Sequence, residues 1–184
     1  MEIKITSKQI FTVLLVLAWI IFVGLSIEAG GFLCNAFFTL VLNPEGAKHF
    51  WKLVDLSAVY NSNKTYFITI SSLMVIVAIL KSVLFYRIIV ILSDKEFNIE
   101  HPFNIKLTRF ISLAAYISFG IGLFANWGAT YVTWMASKNI PMPSLQELRF
   151  DGFNVWLFMG VILFVIAQIF KRGVAIQAEN DLTV

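Results

Sequence analysis

The stretch IFTVLLVLAWIIFVGLSIEAGGFL, residues 10–33, decides the fold. Its first charge is Glu28, and as an α-helix it extends about 36 Å, more than the roughly 30 Å hydrocarbon core of a bilayer. Lipid offers no hydrogen bonds to an exposed peptide group, so such a segment crosses it as a helix that satisfies its own backbone. Three more stretches read the same way, at 65–92, 107–135 and 153–170. The sequence therefore predicts an all-α integral membrane protein, a four-transmembrane-helix bundle forming a single membrane domain over 1–184. The first run also imitates the apolar part of a secretory signal peptide. No small-x-small cleavage pattern leads from it into soluble sequence, however, and further spans follow.

Composition points the same way. The 184 residues are 59% apolar with a mean hydropathy of +0.81 and only 14% charged side chains, against about 25% in soluble domains. A net charge of +3 is scattered between apolar runs and forms no dense patch, which argues against direct nucleic-acid binding. No hydrophilic stretch is long enough for a soluble catalytic domain, and no HExxH, paired-acid or Ser-His-Asp pattern is present. The chain is expected to be noncatalytic and to carry no cofactor. The lone Cys34 supplies neither a disulfide nor a metal cluster and reads as a small apolar filler near a helix end.

The connections carry their own signals. Asn43-Pro44-Glu45-Gly46 must end the first helix. Residues 47–60, AKHFWKLVDLSAVY, interleave apolar and charged side chains and predict a short amphipathic helix at the interface, in the first extracytoplasmic loop. Thr6 with Gln9, Ser93 with Glu96 and Ser144 with Glu147 have capping-box spacing, and the last predicts a short helix leading into the fourth span. Asp151 reads as a helix N-terminal charge. Asn63-Lys64-Thr65 matches a glycosylation acceptor formally, in an unsuitable position against the membrane. His49 and His101 fall on opposite sides of the membrane and cannot complete one site.

Basic residues orient the chain. Lys4, Lys8, Arg87, Lys95, Lys106, Arg109, Lys171 and Arg172 share the side of the two tails; Lys48, Lys52, Lys64, Lys138 and Arg149 take the other. The positive-inside rule makes the richer side cytoplasmic, so both termini are expected there.

Three polar residues inside the spans are candidates for function: Glu28, Lys81 and Asn126. An unpaired charge in lipid costs several kcal/mol unless it snorkels, pairs or changes protonation. Glu28 and Lys81 are expected to differ in depth by about 7 to 14 Å at helical rise, so that pairing needs tilt or intervening water. Asn126 belongs to a stripe, Ala114, Ser118, Gly122, Asn126 and Thr130, that recurs every four residues. It reads as a packed seam or as the wall of a substrate path. Beside Glu28, Gly30 and Gly31 either admit another backbone or ligand or merely relax the helix end.

Two short stretches carry a resemblance. The ending IFKRGVAIQAENDLTV, 169–184, and the loop EFNIEHPFNIKLTRF, 96–110, resemble those of the YoaS-like family of uncharacterised bacterial four-helix membrane proteins. The resemblance maps the family's ending onto Lys171, Arg172, Gly173, Glu179, Asn180, Asp181, Leu182, Thr183 and Val184, and its loop pair onto Pro102 and Phe103. His101 stands where a glycine is common. The family has no established reaction. Its members resemble membrane components encoded near small helix-turn-helix regulators, which implies a cytosolic regulator of that class as partner. Beyond that regulator, the lipid bilayer is the one partner the sequence requires; a homo-oligomer stays open.

The leading expectation is a noncatalytic membrane sensor or regulatory partner acting through its cytoplasmic loop and C-terminal tail. The alternative is a small transporter or self-protection membrane protein handling a small solute, an ion or a membrane-active compound.

Overall fold

The computed structural model describes residues 7–52, 54–94 and 104–181. Helix α1, Ser7–Phe37, widens at its end into a π-helical stretch, Phe38–Leu42, and a 3₁₀ turn follows over Pro44–His49. A short α2, Ser57–Ser62, precedes three long helices: α3, Lys64–Leu92; α4, Ile105–Ser137; and α5, Phe153–Asp181. Four helices are long and apolar enough to cross a membrane, and the chain is a multi-pass membrane protein. The 33 residues of α4 reach about 50 Å, so the helices tilt or project beyond the hydrocarbon.

Helix starts have local causes. The Oδ1 atoms of Asn63 and Asn104 each accept the amide two residues on, at 2.8 Å, and cap α3 and α4. Thus Asn63, the formal glycosylation acceptor, is a helix cap. Within the spans, Ser71, Thr108, Ser112 and Thr133 hydroxyls donate to the carbonyl one turn back, which satisfies them in lipid.

The long helices pack in chain order, α1 on α3, α3 on α4 and α4 on α5; among the described residues α1 makes no close backbone approach to α4 or α5. All neighbours are antiparallel. Ser26 and Ser82 hydroxyls meet at 2.9 Å and the Phe22 and Tyr86 rings at 5.8 Å, which sets the register of α1 on α3. Tyr66 meets Trp134, and Leu80 meets Gly120, along α3 and α4. On α4 the missing side chains of Gly122 and Gly128 admit Leu157 and Phe150; a Cβ at either glycine would sit 2.6 Å from its neighbour's carbons. Ser7 and Asp181 therefore lie at one end of the bundle, the tail end, and the connections 43–63 and 138–152 lie at the other, the cap end.

The expected seam on α4 holds for half its length. Ala114, Ser118 and Gly122 are buried, whereas Asn126 and Thr130 are exposed. A step of four residues overshoots a full turn by about 40°, so a strict four-residue stripe winds off the packed face. The face continues instead through Ala125, Gly128, Ala129 and Val132.

The short helix expected between the first two spans is present but divided. Lys52 has φ +50° and breaks any continuous helix over 47–60. The Phe50 amide donates to Val54 O and the Leu56 amide to Ala47 O, making a tight loop. Phe50, Val54, Leu56 and Val59 are buried beneath it, and Phe50 packs between Phe32 and Phe67. This loop is a lid on the bundle's core, and only its outer rim is amphipathic.

Candidate functional site

Residues that lipid would penalise converge about midway along the bundle, beneath the cap-end connections. The α1–α3 register brings Glu28 level with Leu80 and Lys81, which removes the expected depth difference. Even so, they are not each other's closest partners. Arg149 Nε donates to Glu28 Oε1 at 2.7 Å, with the carboxylate side chain 15% exposed and the guanidinium 39%. Lys81 Nζ donates to the carbonyl of the same Arg149 at 3.4 Å and lies 5.7 Å from the centre of the Trp156 ring. Asp151 is exposed and close enough for its charge to act on Lys81. One residue thus ties α1 by its side chain and α3 by its backbone.

Arg149 reaches this depth because the α4–α5 connection folds back. Phe150 packs on Gly128, so the chain has returned roughly 14 Å from the end of α4 at Ser137. Leu148 and Phe150 are fully buried on either side and fix the direction of the arginine between them.

The local fold explains the turn. Ser144 and Glu147 form the expected capping box: the Ser144 amide donates to Glu147 Oε2 at 2.7 Å, and the Glu147 amide donates to Ser144 Oγ at 3.2 Å. It opens a hydrogen-bonded turn over 145–149 and no helix, so the short helix expected before the fourth span is absent. The Phe150 amide donates to Leu145 O and the Arg149 amide to Gln146 O, the paired bonds of a Schellman end, with Arg149 at φ +63°. Glycine is favoured at that position, because a side chain in the left-handed region costs about 1–2 kcal/mol. Arg149 is held there by the two backbone bonds of the turn and by its side chain's bond to Glu28.

Hydrogen bonds from the Ser144 hydroxyl and then its amide hold the Glu147 carboxyl below the usual carboxylate range, and Ser57 does the same for Asp55 in the facing loop. Both folded values are depressed, so the stabilisation is present above the ordinary carboxylate pKa and is lost as pH falls through the lower folded values. A titration of the Ser144 and Ser57 amide resonances in micelles, run from neutral into acid, should show each midpoint below that of an ordinary carboxylate of its kind. Ser144→Ala should move the Glu147 midpoint back up.

The other sequence candidates do not join the clasp. Asn126 faces outward from α4, so Glu28, Lys81 and Asn126 do not converge. Lys171, Arg172 and Glu179 are exposed, and Gly173 half-buried, on the tail-end part of α5, which runs unbroken through Asn180 and Asp181. Pro102, Phe103, Leu182, Thr183 and Val184 lie outside the described residues, as do the side chains of Asn180 and Asp181. Cys34 is exposed on α1. Among the described residues no group of His, Cys, Asp and Glu side chains is placed to hold a metal ion. No family model, curated protein or solved structure matches this chain.

Sequence reasoning missed Arg149 and Trp156. A signal was there: the fourth apolar run, 153–170, is much shorter than the third, 107–135, so the connection between them has to return into the bundle.

Proposed function

We propose that this chain is a noncatalytic membrane sensor or regulatory partner, in which the mid-bundle clasp sets the position of the tail. The observation that carries the reading is the continuity of α5. It starts just beyond Arg149 and runs for 29 residues, about 43 Å, past Lys171 and Arg172 to Asp181. Among the long helices its backbone closely approaches α4 alone, with Lys81 of α3 reaching its Trp156 ring at the clasp, so a change at the clasp is transmitted along a rod with little else to hold it. In this reading the tail end is cytoplasmic, in a bacterial inner membrane, and a helix-turn-helix regulator docks on Glu179, Asp181 and the apolar residues that follow. The resemblance of 96–110 and 169–184 to the YoaS-like family supports that partner class.

Truncation tests it. Removing residues 179–184 is expected to abolish co-purification of a helix-turn-helix regulator with the membranes while protease protection still reports four inserted spans. Undiminished recovery of the regulator with the truncated chain sinks the reading.

A further inference from the structure

Where α3 and α4 meet at the tail end, they present matching stripes. Arg87, Val90 and Ile91 share one face of α3, and Arg109, Phe110 and Leu113 one face of α4, each at spacings of three and four residues. Between the stripes lies a cleft of about 360 Å³. Asp94 and Lys106 pair across its outer mouth at 3.2 Å. The two arginines lie inboard of that pair, at depths that the α3–α4 register separates by about 6 Å, so one small anion is within reach of both. Neither has a hydrogen bond or an ion pair with any described residue. The contacts of Gly160 with Phe119 and of Phe164 with Tyr116 set α5 so that Lys171 and Arg172 fall at the depth of Arg109. That level is therefore a belt of cations, where a membrane holds its phosphates.

We infer that this cleft binds one anionic glycerophospholipid, its phosphate between Arg87 and Arg109 and an acyl chain along Val90, Ile91, Phe110 and Leu113. Two guanidiniums inboard of the one carboxylate, Asp94, which Lys106 already pairs at the mouth, select a headgroup of net negative charge, because a zwitterionic headgroup brings its own ammonium to the same place. The apolar walls select a lipid over free phosphate. The inference is independent of the regulatory reading.

Native mass spectrometry of the full chain tests it, after exchange in micelles with equal amounts of phosphatidylglycerol and phosphatidylcholine of identical acyl chains. One phosphatidylglycerol should be retained in preference to phosphatidylcholine. Arg87→Gln and Arg109→Gln should each lower that preference by about fivefold, whereas Arg172→Gln, at the same depth but outside the cleft, should leave it unchanged. Arg87→Lys and Arg109→Lys keep the charge and should keep most of the preference, which separates lost binding from lost folding. Equal retention of both lipids, an equal loss in Arg172→Gln, or displacement of the lipid by excess inorganic phosphate overturns the assignment.

Discussion

Replacing Arg149 by alanine is expected to cost the folded protein about 1–3 kcal/mol. Cutting a fully buried ion pair on one side costs about 3–5 kcal/mol, because the surviving charge stays desolvated. Here Glu28 is the more enclosed partner, while the guanidinium is 39% exposed, and solvent screening discounts the figure. Glu28→Gln should cost a similar amount, and the double variant less than the sum, because both changes remove one interaction. Arg149→Gly separates the pair from the backbone. It loses the same contact with Glu28, but the left-handed φ of +63° then suits the residue, so it should be about 1 kcal/mol more stable than Arg149→Ala. Unfolding by denaturant in mixed micelles measures all four. Strict additivity of Arg149→Ala and Glu28→Gln would show that the clasp carries no coupling energy.

The reach of the sequence follows from what each signal depends on. A span depends on composition over some twenty residues, and all four were legible for that reason. Glu28 and Lys81 were legible as charges in apolar surroundings, which is also a local property. Their partner was not, because Arg149 stands in a hydrophilic connection and becomes an inner residue only when Phe150 docks on Gly128. Asn126 lies off the packed face for a geometric reason, since spacing by four is close to the helical period without equalling it, and the error grows with every turn. The mixed stretch 47–60 carries apolar residues at helical spacing, yet Lys52 turns left-handed and the aromatic side chains go under the loop. In that segment tertiary burial overrides periodicity. The capping box at Ser144 forms as read, but the turn it opens closes at Arg149 before any helix forms, and nothing in four residues announces that.

The two neighbouring glycines beside Glu28 should respond in opposite ways. At Gly30 a Cβ would meet nothing within 4 Å, so Gly30→Ala keeps the packing and gains helix propensity, up to about 1 kcal/mol. At Gly31 a Cβ would collide with three carbons of the Trp51 ring. That ring cannot simply swing away. It packs edge-on against Phe32 at 5.7 Å, and its backbone carbonyl accepts the Val54 amide at 2.8 Å in the loop that seals the cap end. Overpacking of this kind costs about 1–3 kcal/mol, so Gly31→Ala should lower stability and loosen residues 47–56, read as faster amide exchange there. Trimming the obstacle should reverse the sign: in a Trp51→Leu background, Gly31→Ala should cost little. If both glycines tolerate alanine equally in the native chain, the loop does not lean on α1 through this ring, and the cap end is held by Phe50 and Leu56 alone.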